Sequence, residues 1–362
     1  MSTLRQTVRF CTTSDQVRIA YATMGRGAPL VRTAHFMTHI ELDVASPVWV
    51  PWLSELSRDR LLVRYDGRNC GLSDRAPTPT DLDAWLDDLE AVVDAAKLDR
   101  FSLFGCSQGG AISIAYATRH PERVASLVLL GTYARGPMRR DPTPAQASEF
   151  RALLDLVRVG WGRDNPAFRQ VFTSLFIPEG TAEQISWFNE LERLTISPDD
   201  AARTIEAFGQ IDVTAEAAAV RCPTLVLHSR GDARVPYEEG RRLAGLIPGA
   251  RFVSLDSRNH VLVEHEPAFR HCFDEVRSFL VEHASQAAGT REFASLTKGD
   301  RELVELLAQG LDNLQISARL GLSEKTIRNK VSAVFTKLAV ETRAQAIVRA
   351  REAGFGASPS TS

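Results

Sequence analysis

The chain has 362 residues, of which 44% are hydrophobic and 24% charged, and its formal net charge is −2. This length exceeds the roughly 250–300 residues at which a single hydrophobic core stops growing, so at least two domains are expected. The composition excludes a collagen-like or a largely disordered chain. Basic residues are concentrated at the C-terminus, where residues 290–362 contain 11 Lys and Arg against 8 Asp and Glu. This charge balance permits nucleic-acid binding there but does not by itself demonstrate it.

The sequence gives no sign of membrane association or secretion. No apolar run approaches the ~20 residues that a membrane helix needs, and the first ten residues lack the apolar core of a signal peptide. The five cysteines are odd in number, scattered and without CxxC spacing, which argues against a disulfide framework or a structural zinc site. We therefore expect a cytoplasmic protein without metal or cofactor.

Short β-like runs alternate with helical stretches over residues 1–283, the expected first domain. This alternation predicts a mostly parallel sheet with helices on both faces. The predicted strands are Val17–Ala22, Leu30–Ala34, Arg60–Tyr65, Phe101–Phe104, Ala125–Leu130, Thr224–His228 and Arg251–Leu255. Residues 134–219 break the alternation because they are helical in pattern and rich in Phe and Trp. We predict that they form an inserted helical lid.

A second, smaller domain is expected after residue 283. Residues 284–297 are mostly small and polar, which is typical of a linker. Four helices are predicted over residues 298–353, separated by Gly310, Gly321 and the polar segment 339–342. Residues 354–362 are predicted to be a disordered tail.

A candidate nucleophile lies between a predicted strand and an apolar helix. The sequence Gly105-Cys106-Ser107-Gln108-Gly109 matches the G-x-S-x-G pattern of a nucleophile elbow. The glycines are needed because side chains beside such a tight strand-to-helix turn would collide with neighbouring backbone. The pattern predicts that Ser107 is exposed at the helix N-terminus and that the N–H of Gln108 faces a developing oxyanion.

A serine nucleophile needs a histidine to accept its proton and an acid to orient that histidine. Asp232 follows the predicted strand Thr224–His228, and His260 follows the strand that ends at Leu255. Asp256 is a rival acid, but it lies only four residues before His260 on the same loop. A single histidine is more often structural than catalytic, yet the position of His260 after a strand favours the triad.

Residues 7–283 resemble the α/β-hydrolase superfamily. Besides the elbow, Asp66–Ser73 is similar to the family's DxRGxGxS turn and His120–Val124 to its HPERV run. The resemblance implies an α/β-hydrolase fold with Ser107, Asp232 and His260 as nucleophile, acid and base.

The chain departs from the superfamily pattern at two positions. Asn69 replaces a usual glycine, and the family's His-Gly after the third strand is replaced by Ala34-His35-Phe36-Met37. Since main chain supplies the oxyanion hole, the resemblance implies that Phe36 or Met37 donates its second N–H.

Aromatic residues of the predicted lid suggest an apolar ligand. Lid aromatics belong more often to a core than to a binding site, but some are expected to line a cavity. The candidate pocket residues are His35, Trp161, Phe172, Trp187 and Phe188.

The C-terminal domain contains a predicted pair of helices joined by a tight turn. Asp312 is a candidate N-cap, Gly321 ends the first helix, and Ser323 caps a second helix that runs to Leu338. That second helix is amphipathic, and its polar face carries Lys325, Arg328, Asn329, Lys330, Ser332 and Lys337. A helical packing domain whose charges simply face water is the alternative interpretation.

The segments GLDNLQISARLGLS and EKTIRNKVSAVFTKL resemble the LuxR-type helix-turn-helix. The resemblance implies binding to double-stranded DNA and pairing into a homodimer through Glu341–Arg351. The implied base contacts are Arg328, Asn329 and Ser332, and the implied phosphate contacts are Lys325, Thr326 and Lys330. The chain departs from the LuxR pattern at Gly299-Asp300, where Arg-Glu is common, and at Lys330, where histidine is usual.

Together the two motif sets predict a transcriptional regulator whose hydrolase-like domain binds, and slowly hydrolyses, a small apolar ester- or lactone-like signal. One alternative is a serine hydrolase with an accessory helical domain, for which turnover would be unchanged by deleting residues 290–362. Another is a receptor that has the hydrolase fold but no catalysis, which the sequence does not distinguish from slow turnover.

Overall fold

A computed structural model describes residues 4–75, 80–294, 296–338, 340–352 and 355–356. The chain divides into two compact units, Met1–Leu280 and Val281–Ser362.

The first unit is built on an eight-stranded sheet. Its strands are β1 (Thr7–Thr12), β2 (Arg18–Gly25), β3 (Ala28–Arg32), β4 (Arg60–Tyr65), β5 (Phe101–Cys106), β6 (Val124–Leu130), β7 (Thr224–Ser229) and β8 (Arg251–Leu255). The strand order is β1-β2-β4-β3-β5-β6-β7-β8. The pairs β1–β2 and β2–β4 are antiparallel and all others are parallel. The predicted mostly parallel sheet is confirmed.

All seven predicted strands are present, with ends shifted by a few residues. The additional strand, β1, pairs only with β2 at the edge of the sheet. Its side chains are exposed or half-buried throughout. The sequence of β1 therefore lacks the apolar run that reveals the buried strands.

Ten α-helices accompany the sheet in the described residues. They are α1 (Trp49–Leu56), α2 (Leu82–Ala95), α3 (Gln108–Arg119), α4 (Pro144–Gly160), α5 (Ala167–Phe176), α6 (Ala182–Thr195), α7 (Pro198–Gly209), α8 (Thr214–Ala219), α9 (Tyr237–Leu246) and α10 (Pro267–Ala294). Helices α1 and α10 meet over β5, where the ring of Trp52 packs edge-on against Phe104 and Phe273. The indole N–H of Trp52 donates to the carbonyl of Leu262 at 2.8 Å. This apolar layer supports the strand that carries the candidate nucleophile.

The predicted lid region is helical, as its sequence indicates. Helices α4 to α7 pack on one another, whereas α8 packs against α3 and α9. We therefore assign α4–α7 to the lid and α8 to the helices that flank the sheet, which makes the lid shorter than the predicted 134–219.

The turn after β4 explains one departure from the superfamily pattern. Asn69 has a φ of +67°, a left-handed conformation that asparagine tolerates better than most residues. Gly71 has a φ of +52°, and a Cβ atom there would lie 2.1 Å from Oδ2 of Asp66. The Asp66 carboxylate accepts from the N–H groups of Ile40 at 3.0 Å and Leu72 at 2.9 Å. Asparagine therefore replaces glycine without changing the turn.

The second unit contains the four predicted helices. They are α11 (Lys298–Ala308), α12 (Asn313–Leu320), α13 (Glu324–Lys337) and α14 (Arg343–Glu352). Their shared core includes Leu303, Leu307, Ile316, Ile327, Val331, Val334 and Ala346. Gly321, with a φ of +66°, ends α12. The four predicted helices are therefore all present.

Two predicted irregular segments differ from expectation. Helix α10 continues to Ala294, so most of the predicted linker 284–297 is helical, and Leu296 is buried in the core of the second unit. Of the predicted tail 354–362, Phe355 donates its N–H to the carbonyl of Ala350 at 2.9 Å and packs on that core. Gly356 follows it in a turn, and residues 354 and 357–362 lie outside the described residues.

An ion pair joins the start of α11 to the end of α13. Thr297 and Asp300 form a reciprocal capping box, and Nζ of Lys337 lies 2.6 Å from Oδ2 of Asp300. The hydrogen bond from Lys337 is the main reason that the pKa of Asp300 falls to about 2. Asp300 thus replaces the usual glutamate with a residue that both caps α11 and ties it to α13.

We expect Asp300→Asn to weaken the packing of α11 against α13 in the full-length protein at pH 7. The folded carboxyl has a lowered pKa, so its contribution to stability is complete above the unfolded value of about 3.9 and is lost as the pH falls towards 2. Amide exchange of both helices, followed by mass spectrometry, should be roughly two- to fivefold faster in the variant at pH 7. The difference should shrink at pH 2.5. Glu302→Gln on the exposed face of α11 is the control, and equal effects of both variants would contradict this role.

Candidate active site and nucleic-acid interface

Ser107 lies on a strained turn between β5 and α3. It has a φ of +53° and is 5% exposed. A Cβ atom at Gly105 would lie 2.7 Å from Cα of Gly110, and one at Gly109 would lie 3.0 Å from the carbonyl oxygen of Thr33. Close backbone packing therefore requires glycine at position 105 and makes a larger residue at position 109 a tight fit.

The loop after β6 holds this turn from the other side. The hydroxyl of Thr132 donates to the carbonyl oxygen of Ser107 at 2.6 Å. Gly131 has a φ of +58°, and a Cβ atom there would lie 3.2 Å from the imidazole of His260. A small residue at position 131 thus lets the base approach the elbow.

Asp232 and His260 form a buried pair. Nδ1 of His260 lies 2.7 Å from Oδ2 of Asp232. The other oxygen of Asp232 accepts from the N–H groups of Arg234 at 2.8 Å and Val235 at 2.9 Å. Burial alone would raise the pKa of Asp232, but His260 and these hydrogen bonds lower it below its ordinary value. The rival acid Asp256 is exposed.

The second nitrogen of His260, Nε2, is buried and has no hydrogen-bond partner within the described residues. With Nδ1 held by an ionised carboxylate, Nε2 is the nitrogen that is available as a proton acceptor. The candidate base thus has an available acceptor nitrogen, although no hydrogen bond joins it to the Ser107 hydroxyl in the described residues.

His228 is a neighbour of Asp232 that the sequence did not reveal as a site residue. Its Nε2 lies 3.0 Å from the carbonyl of Val235 and 3.5 Å from Oδ2 of Asp232. Burial lowers the pKa of His228, so it is neutral and supports the acid's loop without adding charge. It occupies a strand position, where the sequence pattern indicates only core packing.

The candidate oxyanion donors are backbone N–H groups. No acceptor among the described residues binds the N–H of Gln108 or of Phe36. The N–H of Met37 lies 3.3 Å from Nδ1 of His35. That nitrogen carries the ring proton when Nε2 accepts from Arg32, so Phe36 and Met37 both stay candidates for the second donor.

Most of the predicted pocket residues are buried in two aromatic clusters. Phe36 contacts Trp161, which packs edge-on against Phe172. In the second cluster Phe188 contacts Phe176, whose ring centre lies 5.4 Å from that of His260.

The other two predicted pocket residues lie outside these clusters. His35 contacts Trp49 and accepts from the buried guanidinium of Arg32 at 3.1 Å. Trp187 is half-exposed on α6. Phe176 is the lid aromatic whose ring packs edge-on against His260, the candidate base. The sequence did not single out this residue as part of the site.

The predicted DNA contacts lie on α13. Lys325, Arg328, Asn329 and Ser332 are exposed, whereas Thr326 and Lys330 are half-buried. Arg328 pairs with Glu324 one turn earlier, at 3.2 Å. Nζ of Lys330 lies 3.9 Å from the position of a Cβ atom at Gly299, so Lys330 extends towards the start of α11. The four exposed side chains form a polar surface that can reach base edges and phosphates.

Within the described residues, no group of three or more His, Cys, Asp or Glu side chains is arranged to hold a metal ion. None of the helices in the same part of the chain is long and apolar enough to cross a bilayer.

Comparison with known proteins assigns both units. The sequence profile of the alpha/beta hydrolase fold matches residues 43–267, and that of bacterial regulatory proteins of the luxR family matches residues 294–350. The chain therefore belongs to the α/β-hydrolase family, and it carries a C-terminal LuxR-type DNA-binding domain. The predicted fusion is confirmed.

Individual relatives match the first unit. The 2-hydroxymuconate semialdehyde hydrolase of a Pseudomonas species is 28% identical over 234 residues, 61% of this chain and 78% of that protein. The 2-hydroxy-6-oxo-2,4-heptadienoate hydrolase of Pseudomonas putida is 29% identical over 222 residues, 55% of this chain and 72% of that protein. An esterase structure from Exiguobacterium antarcticum has a TM-score of 0.66 at 22% identity and covers 76% of this chain and 99% of its own. This structural likeness shows the fold.

We expect Gly105→Ala to destabilise the first unit by about 1–3 kcal/mol, because the added methyl group overlaps the backbone of α3. Gly245→Ala on α9 is a matched control, since a Cβ atom there has no neighbour within 4 Å. It should be neutral or stabilising. Urea unfolding followed by tryptophan fluorescence measures both, and equal stability of Gly105→Ala and the wild type would contradict the packing argument.

Proposed function

We propose that this protein is a transcriptional regulator whose hydrolase-fold domain binds and slowly hydrolyses a small ester- or lactone-like signal through Ser107, Asp232 and His260. The observation that carries the proposal is the buried 2.7 Å contact of His260 with Asp232 beside a strained serine turn, in one chain with a LuxR-type domain.

The chemistry is acyl transfer. Oγ of Ser107 attacks the carbonyl carbon while its proton moves to Nε2 of His260, and the N–H groups of Gln108 and of Phe36 or Met37 stabilise the oxyanion. The leaving alcohol takes the proton from His260. Water then hydrolyses the acyl-enzyme with His260 again as the base, which regenerates Ser107.

The substrate class follows from the site and from the relatives. Both relatives are named for hydrolysis of carbonyl compounds, a semialdehyde and an oxo-dienoate. The aromatic side chains around Phe36 and Phe176 favour an apolar portion in the ligand. An ester or lactone with an apolar portion satisfies both observations.

The LuxR-type domain supports a protein that binds DNA as a dimer. We assign the pairing surface to residues 341–351, where Val348 of α14 is 54% exposed. A dimer of this kind reads a near-palindrome with half-sites roughly 10 bp apart, centre to centre. The ligand regulates DNA binding only if it binds two states of the dimer with different affinities.

The proposed nucleophile is tested by intact-mass detection of a fluorophosphonate adduct on the full-length protein. We expect one adduct on the wild type, none on Ser107→Ala, and labelling of His260→Ala slowed on the order of 10³-fold because the base is lost. His265→Ala, an exposed histidine of the same loop, is the control and should label normally.

The stable adduct also tests the coupling to DNA, since it occupies Ser107 as an acyl group would. Operator affinity should change by about fivefold or more on labelling of the wild type, and not on treatment of Ser107→Ala. Labelling without any effect on DNA affinity would favour the second candidate, a serine hydrolase with an accessory domain. A folded wild type that resists labelling would favour a binding-only receptor.

We expect Arg328→Ala to weaken binding to a selected operator by about 1–3 kcal/mol, because Arg328 is the exposed arginine on the reading helix. The loss should be smaller on unrelated DNA. Titrations at several salt concentrations measure both, with Arg301→Ala on α11 as the control. An equal loss on every sequence would identify Arg328 as a phosphate contact instead.

A further inference from the structure

The loop that carries Asp232 also places an arginine beside the base. The guanidinium carbon of Arg234 lies 5.7 Å from the ring centre of Phe176, and the same ring packs edge-on against His260. Arg234 also donates its backbone N–H to Asp232, so its position is fixed together with that of the acid. The arginine side chain therefore lies against the aromatic cover of the base.

Arg234 is also close to the loop that supports Ser107. Its charge interacts with Tyr133 and Asp232, and Tyr133 directly follows Thr132, whose hydroxyl holds the carbonyl of Ser107. Tyr133 is 5% exposed. Arg234 is thus adjacent to both loops on which hydrolysis depends.

No carboxylate within the described residues pairs with the Arg234 guanidinium. Its Nε is buried without a hydrogen-bond partner. The oxygens of Asp232 are already bound by His260 and by two backbone N–H groups. The nearby Glu239 pairs instead with Arg140, at 3.4 Å. Arg234 is half-buried as a residue, so its guanidinium is partly shielded from water, and an anionic group of a ligand would both satisfy the buried Nε and compensate the charge.

We propose that Arg234 binds a carboxylate of the ligand, so that the signal is an anionic ester or lactone whose reacting carbonyl lies at Ser107. This inference rests on the proposed function, because it assigns the substrate class of the same site. The apolar part of the ligand then contacts Phe176, and the carboxylate end contacts the guanidinium through charge-assisted hydrogen bonds.

The test uses two esters of equal chain length, mono-4-nitrophenyl glutarate and 4-nitrophenyl valerate, which differ only by a carboxylate in place of a terminal methyl group. We expect the wild type to have the higher kcat/KM for the glutarate ester. Arg234→Gln should reduce the glutarate-to-valerate ratio of kcat/KM by about tenfold to a hundredfold, because one partner of a partly buried charge pair is removed. Arg234→Lys, which keeps the charge without the planar fork, should reduce the ratio less. Arg230→Gln, an exposed arginine on the same loop, should leave the ratio unchanged.

A second measurement separates this proposal from the proposed hydrolysis. Calorimetric titration of Ser107→Ala with both esters measures binding alone, and we expect tighter binding of the glutarate ester that is lost on adding Arg234→Gln. Absence of turnover in the wild type with this binding preference intact would overturn the hydrolysis but support Arg234. An unchanged ratio in Arg234→Gln, or a wild type that prefers valerate, would overturn the anion proposal. A wild type that prefers valerate overturns the proposal even if the variants fail to fold.

Discussion

The close packing of α3 against its neighbouring strands is the constraint on which the first unit depends. Helix α3 begins so near β5 and the end of β3 that Gly105 leaves no room for a Cβ atom and Gly109 leaves little. Thr132 fills the space beside Gly110 and holds the carbonyl of Ser107. The unfavourable φ of Ser107 is therefore maintained by packing and one hydrogen bond rather than by its own preference. This turn sets the position of the candidate nucleophile, beside which the loops after β7 and β8 place Asp232 and His260.

The parts of the structure that were predictable depend on chain order or on buried apolar runs. The elbow motif locates Ser107, and the loops after β7 and β8 locate Asp232 and His260, because parallel strands bring their carboxyl ends to one edge of the sheet. The same reasoning missed β1, because its exposed and half-buried side chains form no apolar run. It also read 284–297 as a linker, although the Ala, Gln, Glu and Arg residues there are good helix formers.

Residues that act through contacts left no comparable signal. Thr132, Phe176 and Arg234 become site residues only because folding places them against Ser107, His260 and Asp232. Lys330 is a predicted phosphate contact whose side chain extends towards the start of α11 instead of outwards. A sequence pattern specifies which residue types occur at which spacing. The assignments above depend instead on where individual atoms point after folding.

The lid and the catalytic base share hydrogen bonds as well as an aromatic contact. The carbonyl oxygen of Phe176, at the end of α5, accepts from the N–H groups of both His260 and Val261, at 2.9 and 3.0 Å. A displacement of this end of α5 would break both bonds and uncover the imidazole. The candidate base is therefore supported by α5 as well as by its own loop. In the proposed regulator, a ligand that moves the end of α5 would change the support of His260, so ligand binding and hydrolysis would depend on the same structural element.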